Sequence, residues 1–172
     1  MNTYTEENYL KAIFKYSNKT KEGVSTNVIA DELDTKASSV TDMIKKLSDK
    51  KLVIYKKYKG VTLTTAGRKI AVSVVRKHRL WEVFLVEKLN FKWDEVHDIA
   101  EQLEHIQSEE LVKRLDTFLE NPKYDPHGDP IPDEDGNLQH HKDITLSDLT
   151  IGEQGVIVGV KEHSASYLKY LE

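Results

Sequence analysis

Between Val96 and Ile106 the sequence reads VHDIAEQLEHI, which brings His97, Glu101, Glu104 and His105 close together along the chain. On a helix turning about 100° per residue, these four side chains fall within about 100° of one another. Val96, Ile99, Ala100, Leu103 and Ile106 take the other face. Two imidazoles and two carboxylates on one face form a nitrogen-and-oxygen donor set for a divalent metal ion. The solvated face of an ordinary amphipathic helix has the same composition, so the stretch alone does not choose between the two.

The preceding segment, AGRKIAVSVVRKHRLWEVFLVEKLN, adds to the choice. His78 and Glu82 fall inside the apolar stripe formed by Ala71, Val74, Val75, Leu85 and Leu89. A glutamate buried there without a partner costs several kcal/mol, so it needs a cation, a metal or a histidine beside it. A structural His78–Glu82 pair is one solution. A metal held between this helix and the His97–His105 face is the other, and it serves both helices.

These elements sit in a chain of 172 residues whose formal charge of −4 hides a split. Residues 1–79 carry 17 Lys/Arg against 8 Asp/Glu, or +9, and residues 80–172 carry 8 against 21, or −13. The basic half suits phosphate, and the acidic half suits cations or simply solubility. The chain has no cysteine, which excludes disulfides and thiolate ligands, so any metal is held by oxygen and nitrogen. No apolar run approaches the roughly 18 residues of a membrane span, and the start MNTYTEENYLKAIF lacks the pattern of a signal peptide. A cytoplasmic protein is expected.

In the basic half, Thr5 to Tyr16 reads as a first helix capped by Thr5, with Tyr9, Leu10, Ile13 and Phe14 at helical spacing. STNVIADELDT reads as a short helix capped by Ser25. KASSVTDMIKKLSDKKLV puts Val40, Met43, Ile44 and Leu47 on one stripe, with Ser38, Thr41, Asp42, Lys45 and Asp49 opposite. Two short helices joined by a tight turn, the second offering hydroxyls and a lysine, match a helix-turn-helix. LVIYKKYKGVTLTTAGR then alternates around a turn at Lys59-Gly60, giving a hairpin that carries Lys56, Lys57, Tyr58 and Lys59. The expected DNA contacts are Ser38, Ser39, Thr41, Asp42 and Lys45 in the major groove, with Lys56, Lys57 and Lys59 on phosphate.

EENYLKAIF, SSVTDMIKKL, LTTAGRKIA, VRKHRLWEVFLV, VHDIAEQLEH, SEELVKRLDTFLENP and DPHGDPIP follow one another along the chain. In these stretches and their order the chain resembles the metalloregulators of the diphtheria toxin repressor and manganese transport regulator type (DtxR/MntR). The resemblance implies a winged-helix repressor that dimerises through a helical second domain and binds double-stranded operator DNA when loaded with Mn(II) or Fe(II). Zn(II) is expected to occupy the sites in vitro. By position, the resemblance implies a primary metal site of Asn8, Glu101, Glu104 and His105. It implies an ancillary cluster of His78, Glu82 and His97; in the manganese-sensing branch, the position of His78 belongs to a binuclear site. Asn8 replaces the usual Asp or Met and offers a carbonyl oxygen. Lys11 stands where the manganese branch has a second acidic ligand, which argues against that branch's binuclear arrangement. Glu101 stands where iron sensors have a sulfur ligand.

NPKYDPHGDPIPDEDG reads as a Pro/Gly-rich linker, although some relatives use the first and third positions of DPH as ligands, here Asp125 and His127. ITLSDLTIGEQGVIVGVKEHSASYLKYLE, with Val156, Val158 and Val160 alternating, resembles the start of the family's small SH3-like (FeoA-type) β-domain. Only 29 residues run from Ile144 to the end, too few for that barrel, and the segment is expected to be incomplete. Glu162 and His163 are further possible ligands there, and His140-His141 reads as an exposed pair. The expected fold is mainly α: a winged helix-turn-helix over 1–73, a helical metal-binding and dimerisation domain over 74–140, and the beginning of the β-domain over 141–172. The apolar faces that include Trp81, Phe84, Leu111, Leu115, Phe118 and Leu119 exceed what one small domain buries, so a homodimer is expected. Two other readings stay open: a winged-helix regulator gated by an organic ligand, and a carboxylate-bridged metal enzyme. No nucleophile or phosphate-cradling loop supports the enzyme.

Overall fold

A computed structural model describes residues 2–17, 23–133, 136–138, 144–156, 158–160 and 164–171. It comprises two compact units, Met1–Val75 and Arg76–Glu172.

The first unit runs α1 (Tyr4–Ser17), α2 (Thr26–Glu32), α3 (Ala37–Asp49), β1 (Val53–Lys56), β2 (Gly60–Leu63) and the start of α4 (Thr65–Leu89). The cap of α1 is Thr3 rather than Thr5. Thr3 Oγ1 accepts the Glu6 N–H at 3.3 Å and the Glu6 carboxylate accepts the Thr3 N–H at 3.0 Å, a reciprocal capping box. Glu6 decides the register, because its carboxylate reaches back three residues and no further. Burial pushes the Glu6 carboxyl up, but hydrogen bonds from Lys50, the Thr3 backbone and Lys46 outweigh burial and bring it down to about 2.

Ser25 caps α2 as expected, accepting the Val28 N–H at 3.3 Å. On α3 the buried stripe is Val40, Ile44 and Leu47; Met43 is half-buried and not part of the core. These residues, with Leu10, Ile13, Phe14, Ile29 and Val61, are almost wholly removed from water. Each large aliphatic among them contributes roughly 1.5–3 kcal/mol by burial.

The hairpin pairs Val53 with Leu63 and Lys56 with Gly60, so Lys57, Tyr58 and Lys59 form its loop, and the turn lies slightly earlier than the sequence suggested. Tyr58 and Gly60 have φ of 65° and 83°. Glycine is required at position 60, where a Cβ would come within 2.7 Å of the Gly23 backbone. Val24 pairs with Val61 and extends this small sheet by one bridge.

The second unit holds the rest of α4, then α5 (Val96–Leu103), α6 (Glu109–Phe118), a short 3-10 turn at Leu146–Asp148 and α7 (Ala165–Leu171). Ser108 caps α6 by accepting the Leu111 N–H at 3.2 Å. One core joins Leu80, Val83, Leu115, Leu119 and Ile131, and another joins Leu85, Val96 and Ala100. Leu115 and Leu119, expected on an outward apolar face, therefore belong to the core of the unit. Phe118, 62% exposed, and Leu111, 39% exposed, remain on the surface. Leu89, expected in the buried stripe, is half exposed because it is the last residue of α4, followed by Asn90 in a left-handed conformation.

The expected start of a β-domain is only partly present. Among the described residues from 144 to 160 there is no strand, and Val156 and Val158 are exposed. Alternation makes a strand only where a neighbour completes the ladder. Here Val160 N–H donates to the His127 carbonyl at 2.8 Å. Among the described residues no helix is long and apolar enough to cross a membrane.

Candidate metal centre

Glu82, 2% exposed, lies on the buried face of α4. Its Oε1 is 3.0 Å from His78 Nε2, one turn earlier on the same helix, and 3.5 Å from His97 Nδ1 on α5. Its Oε2 is 3.7 Å from His127 Nδ1. Burial pushes the Glu82 carboxyl up, but hydrogen bonds from His127, His78 and His97 outweigh burial and hold it well below the ordinary carboxylate range. His78 and His97 meet edge to face, with ring centres 4.9 Å apart.

The loop after α6 supplies the opposite side. Asp125 Oδ1 accepts the His127 N–H and the Asp129 N–H, both at 2.9 Å, and this curls the loop into a turn. Gly128, at φ +89°, passes so close to Gly159 that a Cβ would lie 2.4 Å from the Gly159 Cα. His127 Nε2 donates to the Trp93 carbonyl at 3.2 Å, which leaves Nδ1 as the nitrogen turned toward Glu82. Burial lowers the His127 imidazole, but the hydrogen bond and charge of Glu82 and the charge of Asp125 outweigh it, and the net direction is up. Asp125 moves the other way for a carboxylate. Burial first, then the charges of Glu82 and Asp129, push it up to about 7 despite Arg79 Nε, 3.5 Å away.

Two groups of donors therefore converge on Glu82. His78, Glu82 and His97 form one; Glu82, Asp125 and His127 form the other, with all three residues buried. In each group the donor atoms lie within 4.8 Å of one another. The chemistry fits a divalent cation. Burial first, and then the charge of the neighbouring Glu82, raise Asp125, and nearby imidazole nitrogens offer neutral ligands.

The remaining predicted ligands are arranged differently from the single face read in VHDIAEQLEHI. Helix α5 stops at Leu103, so Glu104 and His105 follow in a turn; both are buried, whereas the side chains of His97 and Glu101 are about half exposed. His97 Nε2 lies 3.6 Å from Glu101 Oε1, and His105 Nε2 lies 3.8 Å from Glu104 Oε1. Glu104 Oε2 approaches His78 Nδ1 at 2.6 Å. Among the described residues Glu101, Glu104 and His105 are not gathered into one three-donor group. In the first unit, Asn8 Oδ1 is buried with no hydrogen-bond partner among the described residues, so this carbonyl oxygen is open to a further donor or a cation. Glu162, His163, His140 and His141 lie outside the described residues.

The predicted DNA-contacting residues are all exposed: Ser38, Ser39, Thr41, Asp42 and Lys45 on α3, and Lys56, Lys57 and Lys59 on the hairpin. Thr41 Oγ1 donates to the Ala37 carbonyl at 3.0 Å, leaving its methyl and acceptor lone pairs for a base edge. Lys57 rests over the Tyr58 ring, 5.1 Å from its centre.

Residues 1–61 match the family described as iron dependent repressor, N-terminal DNA binding domain, and residues 64–133 match iron dependent repressor, metal binding and dimerisation domain. The iron-dependent repressor IdeR of Mycobacterium leprae is 32% identical over 163 residues, covering 90% of this chain and 70% of that protein. The chain belongs to the iron-dependent repressor family. That family is one of transcriptional repressors and not of enzymes. A solved structure of a manganese-dependent transcriptional repressor in complex with manganese has a TM-score of 0.82 and 38% identity, covering 96% of this repressor-family chain and 76% of that one. The diphtheria toxin repressor of Corynebacterium diphtheriae is 32% identical over 130 residues, covering 74% of this chain, which spans 56% of that repressor's length.

The family's metal-binding domain coincides with the stretch that holds Glu82 and its imidazoles. Sequence reasoning missed the Trp93 carbonyl that orients His127 and the Arg79 side chain beside Asp125. A backbone acceptor leaves no residue-type signal, and Arg79 reads as one more cation on a basic helix.

Proposed function

We propose that this chain is a metal-activated, operator-binding repressor that works as a homodimer in the cytoplasm and responds to Mn(II) or Fe(II). The observation that carries the reading is Glu82, a buried carboxylate facing three imidazoles, with the buried Asp125 carboxyl beside it. His78 and Glu82 from α4, His97 from α5, and Asp125 and His127 from the loop would hold the ion. Asn8 on α1 and, separately, Glu101, Glu104 and His105 of the second unit are further candidate donors, and metal acting on α1 through Asn8 is the step that would switch DNA binding. A bound ion supplies fixed positive charge shared by elements that otherwise set carboxylates against each other.

Carboxylate, imidazole and amide donors suit Mn(II) and Fe(II), while Zn(II) binds such sets more tightly in the general affinity order. Zn(II) is therefore expected to occupy the sites in vitro, with selectivity resting on geometry. The exposed hydroxyls and Lys45 of α3 read the major groove, and the hairpin lysines hold phosphate.

The test is direct metal binding under anaerobic conditions. Mn(II) is followed by electron paramagnetic resonance, with Fe(II) and Zn(II) in competition and the melting temperature measured in parallel. At a free Mn(II) concentration about a hundredfold above Kd, one site adds about 2.7 kcal/mol of stability. Glu82→Gln keeps the side chain's volume, removes its charge and is expected to lose most of that gain. An equal Mn(II)-induced stabilisation in Glu82→Gln contradicts the assignment.

A further inference from the structure

Glu6 belongs to none of the donor sets above, yet it is one of the most completely buried charged groups in the first unit, 0% exposed. Its Oε1 lies 3.2 Å from Lys46 Nζ and 2.8 Å from Lys50 Nζ, and Lys50 Nζ also donates to Oε2 at 2.9 Å. Glu6 sits in the first turn of α1, two residues before Asn8. Lys46 lies in the last turn of α3 and Lys50 is the residue that caps it. Helix α1 packs mainly against α2 and β2, and α3 mainly against α2 and β1. The Glu6 carboxylate therefore joins the first turn of α1 directly to the C-terminal end of α3.

Exposed ion pairs exchange readily with water and hold little. Here the lysine side chains are 51% and 38% exposed but the carboxylate is buried, so a shift that separated them would leave Glu6 an uncompensated buried charge. The same Glu6 also closes the α1 capping box through Thr3, so moving this turn of α1 moves the anchor of both lysines.

We infer that Glu6 is a positioning residue for DNA binding, passing the position of α1 to the base-reading helix α3 through Lys46 and Lys50. The inference rests on the reading that metal acts on α1 through Asn8, and it names the route onward from there. Glu6 touches neither metal nor DNA in this scheme; it acts on α3 through the two lysines.

The experiment uses the full chain and a duplex selected from random-sequence DNA by the Mn(II)-loaded wild type. The readout is the ratio of Kd in chelator to Kd in saturating Mn(II), a coupling that a merely stabilising contact does not move. Glu6→Gln is expected to bind Mn(II) as the wild type does while its ratio falls at least about tenfold. Lys46→Gln and Lys50→Gln each leave Glu6 one cation and are expected to lower the ratio by less. A Glu6→Gln protein that keeps the wild-type ratio overturns the inference, even if both affinities drop together. Should Glu6→Gln fail to fold, the lysine variants decide: a lowered ratio in either supports the relay, and an unchanged ratio in both overturns it. A wild type with no Mn(II) response removes the metal-sensing reading, and the relay falls with it. A responsive wild type with an unaffected Glu6→Gln removes the relay alone.

Discussion

His78 Nδ1 lies 2.6 Å from Oε2 of Glu104, although 26 residues separate them. The same ring places Nε2 3.0 Å from Glu82 Oε1, so one imidazole links carboxylates that belong to different ligand sets by resemblance. A neutral imidazole donates through one nitrogen only, and the other then presents a lone pair to a carboxylate unless a cation intervenes. Truncation of this ring is therefore expected to disturb both sets. His78→Ala should weaken Mn(II) binding in more than one class of site in a paramagnetic resonance titration. Weakening of one class, with any other class unchanged, would contradict the shared ring.

On the DNA side, the wing and the helix separate affinity from specificity. Lys57→Ala removes an exposed cation on the hairpin loop and should weaken binding to all duplexes alike, lowering the salt slope by about 0.9. Thr41→Ala should instead change the ranking among related operators, because its methyl and hydroxyl are placed for base edges. Fluorescence anisotropy over a salt series with selected and random duplexes distinguishes them. Equal losses on both DNAs for both variants would contradict this division.

Phe118 is more exposed than Leu111, the other large apolar residue that α6 leaves on the surface, and its ring centre lies 6.3 Å from that of Phe84. Leu115, in contrast, packs with Leu80 and Val83 inside the unit. Phe118→Glu is expected to give folded monomers that have lost tight operator binding, measured by sedimentation, whereas Leu115→Glu should unfold the unit. A Phe118→Glu protein that sediments as the wild type does would remove this face from the dimer interface.

Local periodicity made much of this legible. The α2–α3 pair, the basic hairpin and the burial of His78 and Glu82 all follow from apolar spacing, and the structure holds them as read. Where the sequence misled, the cause was where an element stops. Angles reckoned along VHDIAEQLEHI assume a helix to Ile106, but α5 ends at Leu103, and Glu104 and His105 are buried while the His97 and Glu101 side chains stay about half exposed. Thr3 and Thr5 are both plausible caps, and only the return bond of Glu6 chooses Thr3. The approach of Asp125 and His127 to Glu82 joins parts of the chain more than 40 residues apart, which no local pattern encodes. Resemblance alone pointed to them.

The central claim, that metal occupancy controls DNA binding, is tested most directly by one titration. Operator binding is measured under anaerobic conditions against free Mn(II), then Fe(II) and Zn(II), with a chelator control, for the wild type and for the Glu104→Gln/His105→Ala double variant. The account predicts that Mn(II) or Fe(II) lowers the wild-type Kd by at least about tenfold, in the usual range of coupling between sites. It also predicts that chelator reverses the effect and that the double variant, with unchanged helical content, stays at the metal-free affinity. Equal wild-type affinity in chelator and in metal, or a full metal response in the double variant, would contradict it.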